Sequence, residues 1–527
     1  MNNDDVRQHL SGDRLHIFVA TLVGLALAVY AGLFAVGYGG NPVKSLMLLL
    51  GGASMVIASL RPRIGLALLV ITSAYLDLIK RLLVCFGMSS MSDVTGVLAV
   101  APMILLGIFL GSCVLHPIFT KKMLVAGERR LLWAALLVIA AAAAIAFKDA
   151  TWIGDFFGAV ANQGAYVLLV PIVFILYRRE GPEEIRRFLR FIAYVYIPVA
   201  LYGVYQFWFG YNQFEIEYLR SGLTVTSINL YDLHPRPFST LNSPHSFSVL
   251  MWFMAVCTVH LGLRKTAHKQ TPRWLPFLYL TSVVFSFVRG AMVLTAANLF
   301  MARWFRTRRG TLIFYTVAVG AFALLVAFSQ QIADNLEHLQ KYLPGETEWQ
   351  LVLFRLGTLS DRFFGYQGVL LNSNMYTLFG HGSGAYASLE IKAGEEGFNH
   401  DALSTILYRF GVVGVLITLS LVAFIMYRVH SVVWRTTDRS RKALGSTLVS
   451  MFTLIVLSHV GGVSYNVFPI NLFMWLFLGL ALTVCAMPEG LGKETGSAAE
   501  IPIRRPSGRR RAPGIVTGGS SRSPGSA

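Results

Sequence analysis

The stretch Gly397-Phe398-Asn399-His400-Asp401 runs directly into an apolar segment from Leu403 to Tyr427, LSTILYRFGVVGVLITLSLVAFIMY. A run of that length and hydropathy can cross a bilayer, and it sets the fold class as helical and membrane-embedded. A histidine and an acid sit where a water-facing loop becomes the membrane helix, with Gly411 and Gly414 following. Ionisable groups at that depth are costly unless they have partners or face a wet cavity, which makes them candidates for function. The plain alternative for His400 taken alone is an ordinary interfacial histidine.

Similar runs recur along the 527-residue chain, which is 55% hydrophobic and only 14% charged, with a mean hydropathy of +0.58. A net charge of +18 would suggest nucleic acid in a soluble protein. Here the Lys and Arg gather in short loops between apolar runs, which is a topological signal, and no nucleic-acid partner is expected. Cys85, Cys113, Cys257 and Cys485 lie in or beside apolar runs without a CxxC pair, so they read as small buried hydrophobes. No set of His, Cys, Asp and Glu has metal-ligand spacing, and neither a metal nor a cofactor is expected. Residues 1–14 are polar, and the first apolar run, Leu15 to Val36, is long enough to span and stay, so no cleavable signal is expected.

Fourteen candidate spans begin near Leu15, Val43, Ile64, Val94, Leu131, Ala159, Phe188, Ser246, Trp274, Ala291, Thr311, Leu403, Leu444 and Pro469. The third, and the short pair at Trp274 and Ala291, have the weakest patterns. The expected fold is therefore all-α: a polytopic membrane domain of 12–14 transmembrane helices over residues 1–487. With the N-terminus inside, the short inside loops and the two terminal segments hold 33 of the 45 Lys and Arg. Positive residues stay cytoplasmic, so both termini are expected inside. Lys80 and Arg81 fall on the other side, against that trend.

Two long connections then lie outside, about residues 210–242 and 330–402. The larger has nine acidic residues against four basic ones, and short helices are expected near Gln331 to Tyr342 and Trp349 to Leu371. A loop of that size in a compact protein is more often functional than idle. Residues 488–527 turn to Gly, Ser, Pro and Arg, a composition that predicts a disordered basic tail, either solvated or drawn to anionic headgroups. The chain has no internal repeat, Walker-type loop, HExxH or nucleophile elbow.

Four constellations fall at the outer boundary in this topology. They are Arg236 to Ser248, including Asn242-Ser-Pro244-His245; Ser286-Phe-Val-Arg289-Gly290; Gly380-His381-Gly382-Ser383-Gly384, preceded by Arg355 and Arg362; and His400-Asp401 with Gly411 and Gly414. Each has a bland reading as an interfacial anchor, a turn or a loop residue. Their convergence carries more weight than any one of them. Arg289 is the hardest to dismiss, because an arginine at a tight turn on the less basic side needs a partner.

Several arginines with one histidine at a membrane surface suit an anionic, lipid-linked substrate. Arginine's rigid fork of donors matches phosphate oxygens and stays protonated. Paired arginines can neutralise a diphosphate leaving group, and a histidine can take a proton from a hydroxyl near neutral pH.

In content and order the four constellations resemble those of the O-antigen ligase and Wzy-type polymerase superfamily of bacterial inner-membrane glycan transferases. That family has an Arg followed eight residues later by Pro in a "gtf-x-nPn" stretch, the spacing of Arg236 and Pro244. Its "T-x-S-R-G" turn is matched by Ser286, Arg289 and Gly290, and its "G-x-G" stretch with an upstream Arg by Arg362, Gly380, Gly382 and Gly384. Its "H-N-x-x-L-x-x-L-x-x-x-G-x-x-G" signature aligns with His400, Leu407, Gly411 and Gly414. The match covers roughly residues 190–430. It departs at Asp401, where the family has Asn, at Val288, where it has Ser, and in the Asn242 to His245 stretch, which leaves polymerase versus ligase open.

The resemblance implies a polyprenyl-diphosphate-linked glycan as donor and a glycan or lipid A-core hydroxyl as acceptor. It places the active site on the periplasmic face of the inner membrane, with membrane lipids and other polysaccharide-export components as further partners. It makes Arg236, Arg289 and Arg362 the diphosphate ligands, with Gly380, Gly382 and Gly384 as a supporting loop. His400 becomes the residue that deprotonates or orients the acceptor, Asp401 its orienting neighbour, and transfer inverts the anomeric centre without a metal. A polymerase of exopolysaccharide or O-antigen repeat units is the leading reading, and a ligase is the alternative. A lipid-linked glycan flippase is more remote, since transport predicts charges deep within several spans. Glu215 and Glu217 in the other outer loop offer a remote acidic metal-binding pair.

Overall fold

An apolar run in lipid satisfies its backbone by closing each N–H onto a carbonyl one turn back, and helices are what these runs form. The computed structural model describes residues 42–85, 91–120, 124–149, 156, 160–161, 164–221, 223, 235–262, 272–328, 331, 378–379, 402–458 and 467–487. Among them every element is helical. In order they are α1 Pro42–Leu60, α2 Pro62–Cys85, α3 Met91–Leu98, α4 Val100–Phe109, a π turn Leu110–Leu115 and α5 His116–Thr120. Next come α6 Ala126–Asp149, a 3-10 turn Ala165–Leu168, α7 Leu169–Tyr177, α8 Pro182–Val195, α9 Ile197–Phe209 and the short α10 Gln213–Arg220. The remainder are α11 Pro244–Gly262, α12 Trp274–Phe285, α13 Arg289–Trp304, α14 Arg308–Ala327, α15 Ala402–Arg435, α16 Arg439–Ser458 and α17 Ile470–Ala486.

Five stretches are long and apolar enough to cross a membrane: Gly96–Ile118, Pro182–Phe209, Pro244–Leu261, Gly411–Arg435 and Arg439–Ser458. The expected spans from Val43 onward fall on described helices, the one near Ala159 only from Ala165 onward, since most of its first residues lie outside the described ones. The expected span at Leu15, the short helices of the 330–402 loop and the 488–527 tail lie outside the described residues.

Two long runs are broken, one at a proline and one at a glycine. The Pro182–Phe209 stretch bends at Tyr196, where Pro198 contributes no N–H to the ladder. Two side chains of α2 brace the bend, Tyr75 donating to the Val195 carbonyl at 2.9 Å and Ser73 meeting the Tyr196 hydroxyl at 3.0 Å. The segment expected to run unbroken from Leu403 to Tyr427 is instead two helices, because Gly411 takes φ 63° and ψ −168°. The spanning part starts at that glycine.

The core is built on α11, α16 and α17, with Trp252, Phe253, Phe473 and Phe477 fully buried. The spanning windows of α11 and α16 are 72% buried, whereas that of α15 is only 11% buried, so α15 lies at the periphery. Leu416, Ile417, Leu421 and Phe424 on α15, like Val317 on α14, are exposed. An apolar surface of that extent is what lipid, and not water, accepts. The chain is an all-α membrane protein.

Side-chain contacts fix the direction of the last helices. His430 on α15 meets the Tyr315 hydroxyl at 3.0 Å, and Trp434 donates to Thr311 at 3.3 Å, so the end of α15 lies beside the start of α14. The Gly411 end of α15, the Ala327 end of α14 and the Arg289 start of α13 therefore share one end of the bundle.

Candidate functional site

That end is organised around a buried arginine. Asp77, Lys80 and Arg81 recur at three- and four-residue spacing and share one face of α2, buried to 3%, 6% and 1% exposure. The Arg81 guanidinium donates to Glu215 at 2.8 Å, to the Ser239 carbonyl at 2.7 Å and to the Leu241 carbonyl at 2.5 Å. It also stacks 4.4 Å from the Phe238 ring centroid. One planar fork thus ties α2 to α10 and to the segment that carries Arg236.

Glu215 serves two roles. As the third residue of α10 it accepts from the Asn212 backbone N–H at 3.0 Å, closing a capping box. It also accepts from Gln206 Nε2 at 2.6 Å. Burial pushes its carboxyl above the usual carboxylate range, while Arg81, the Asn212 amide and Gln206 pull it back. The sequence offered Glu215 and Glu217 as a metal-binding pair. Glu215 instead faces Arg81, and Glu217 accepts from the Cys85 thiol at 3.4 Å. Their two-residue helical spacing turns them apart.

The loop ahead of α11 is stapled at its backbone. Gln206 Oε1 accepts from the N–H of Phe238 at 3.1 Å and of Ser239 at 2.6 Å, and the Thr240 hydroxyl donates to the Ala74 carbonyl at 2.6 Å. Tyr211 donates to the Arg236 carbonyl at 2.7 Å, and burial raises its phenol pKa. The half-buried Arg236 side chain then reaches the turn between α12 and α13, where Nη2 donates to the Phe287 carbonyl at 3.4 Å. The first two constellations, 51 residues apart at this contact, are thereby joined.

Both carry strained backbone. The described non-glycine residues with positive φ are Ser239 at 55° and Phe287 at 52°. Such conformations cost about 1–3 kcal/mol each and cluster at functional sites. The Phe287 turn is held by Ser286, whose hydroxyl donates to the Val283 carbonyl at 2.6 Å and accepts from the Val288 N–H at 3.3 Å. Arg289 opens α13, so a cation begins a helix whose N-terminus is already positive. A side chain at Gly290 would meet nothing within 4 Å, so packing does not demand glycine there.

The third and fourth constellations are described only in part. A Cβ on Gly411 would lie 2.3 Å from the Leu378 carbonyl oxygen, which puts the break in α15 against the two residues that precede Gly380. His400, Asp401, Arg362, Gly380, Gly382 and Gly384 lie outside the described residues, as do Arg355 and His381. The buried Asp77, Lys80, Arg81 and Gln206 were not selected by sequence reasoning. Their signal was present, since Lys80 and Arg81 broke the charge trend.

Compared with known proteins, the chain matches no family model and no curated protein.

Proposed function

We propose that the chain is a glycan transferase acting on a polyprenyl-diphosphate-linked donor, with its site at the outer face of a membrane domain of 12–14 spans. The observation that carries the reading is the contact of Arg236 with the Phe287 turn, from which α13 starts at Arg289. A permanently charged fork and a helix N-terminus converge there, and together they favour a phosphate-type anion. In the reaction, Arg236 and Arg289, with Arg362, hold the diphosphate as its bond to the anomeric carbon breaks. His400, oriented by Asp401, takes the proton of the acceptor hydroxyl that attacks that carbon. The product chain grows by one repeat unit in the polymerase form of the reading.

The test is product analysis in cells that carry His400→Ala at unchanged membrane abundance. Single repeat units on the final acceptor support a polymerase. Long chains stranded on the carrier lipid support a ligase. Wild-type product would overturn the transferase role of His400. Arg236→Lys keeps the charge and loses the fork, and a drop in transfer of about tenfold or more is expected if contact is bidentate.

A further inference from the structure

The end of the bundle that carries Arg236 also contains a cavity of about 260 Å³, walled by Asp77, Lys80, Leu98, Tyr166, Asn242 and Phe468. Its polar side is electrically balanced, because Asp77 and Lys80 pair at 2.8 Å, one turn apart on α2. A phosphate would meet the Asp77 carboxylate as a like charge, so an anion is the wrong ligand for this wall. The Tyr166 residue is 2% exposed, and its hydroxyl has no hydrogen-bond partner among the described residues. That hydroxyl is not among the described fully enclosed polar atoms that lack a partner; it belongs to a residue of the cavity wall, where it can donate to an occupant.

The wall mixes functions. The Lys80 ammonium and Tyr166 hydroxyl donate, the Asp77 carboxylate accepts, and the Asn242 amide does both. Asn242 already accepts from the Ser246 hydroxyl at 2.7 Å through Oδ1, which fixes its orientation. The wall also carries aromatic surface, the Tyr166 and Phe468 rings sitting 5.8 Å apart at 32°. A few convergent polar groups on an apolar, aromatic cavity are the general form of a small-molecule site. Alternating donors and acceptors beside aromatic faces match a ring with hydroxyls on its edge and C–H bonds on its face.

We propose that this cavity is a saccharide subsite that takes one neutral pyranose ring. The assignment rests on the glycan-transferase reading only for its biological use, and the binding itself is independent of turnover. Asn242 belongs to the segment that begins with Arg236, so a sugar held here lies on the same structural unit as the arginine assigned to the diphosphate.

The experiment is saturation-transfer NMR on the full chain in detergent micelles, with the methyl glycosides of glucose, galactose, mannose and N-acetylglucosamine as probes. Inorganic pyrophosphate is the competitor. The expected result is a saturable signal from at least one glycoside that pyrophosphate does not displace. Tyr166→Phe, which deletes one hydroxyl and keeps the ring, weakens it about fivefold. Leu98→Trp, on the cavity wall, abolishes it by filling the space. Melting temperature is followed for both variants, and if Tyr166→Phe lowers it the Leu98→Trp variant alone decides. No signal from any of the four probes, equal signals in wild type and Leu98→Trp, or displacement by pyrophosphate overturns the proposal. Binding that persists in a chain without transfer activity removes the transferase reading and leaves the cavity. Transfer without Tyr166-dependent binding does the reverse.

Discussion

Arg81 satisfies one carboxylate and two backbone carbonyls from a single buried guanidinium. Its removal leaves Glu215 as an uncompensated buried acid, and breaking such a pair from one side costs about 3–5 kcal/mol. Arg81→Met is expected to lower stability by that amount in detergent unfolding. Arg81→Met with Glu215→Gln should recover part of it, and strict additivity would contradict the coupling. The single variant also has a pH signature. Without Arg81, burial holds the Glu215 pKa above its unfolded value, so the folded state binds the extra proton. Stability is then greatest below the ordinary carboxylate range and declines as pH rises through the raised pKa. A pH-independent deficit would argue against a buried Glu215. Gly290 gives the complementary case: its Cβ space is open, and alanine is about 1 kcal/mol better in a helix. Gly290→Ala should be neutral or mildly stabilising while transfer falls, if a ligand approaches that backbone. Full activity would remove the backbone from the site.

Among the elements, α15 departs most from its pattern. Its hydropathy runs evenly across Gly411, so periodicity alone gives one helix. The break comes from a conformation that only glycine adopts readily, φ 63° with ψ −168°, and from the Leu378 carbonyl occupying the place of a side chain. Gly411→Ala combines backbone strain of about 1–3 kcal/mol with a clash that flexible atoms cannot relieve. The expected outcome is a clear loss of melting temperature, whereas Gly320→Ala in α14, with open space around it, should be neutral or slightly stabilising. Equal behaviour of the two would mean that the break in α15 is not required. The bend between α8 and α9 has a local cause in Pro198, although the expected span from Phe188 runs through it unbroken.

At the scale of the molecule, local signals carried the class and long-range pairing carried the rest. Apolar runs mark the helices, and motif order singles out Arg236 and the Ser286–Gly290 turn, which the fold joins through the Arg236–Phe287 contact. The role of Arg81 was not readable, since its partners lie 134 to 160 residues away and no local period encodes them. The same burial explains why Lys80 and Arg81 opposed the charge trend: they bond within the protein and are poor reporters of sidedness. Excluding them, the basic loops all predict that the end with Arg220 faces outward and the α15–α16 connection faces the cytoplasm. A membrane-impermeant maleimide tests this with the exposed Cys85 replaced by Ser. Arg220→Cys should react in intact spheroplasts, and Thr437→Cys, at the other end of the Gly411–Arg435 span, only after lysis. At about 1.5 Å per residue that span is roughly 36 Å long, enough to keep the two labels on opposite sides of a hydrocarbon core about 30 Å thick. The reverse pattern would place the Arg236 end in the cytoplasm and would contradict the outward-facing site of the proposed transferase.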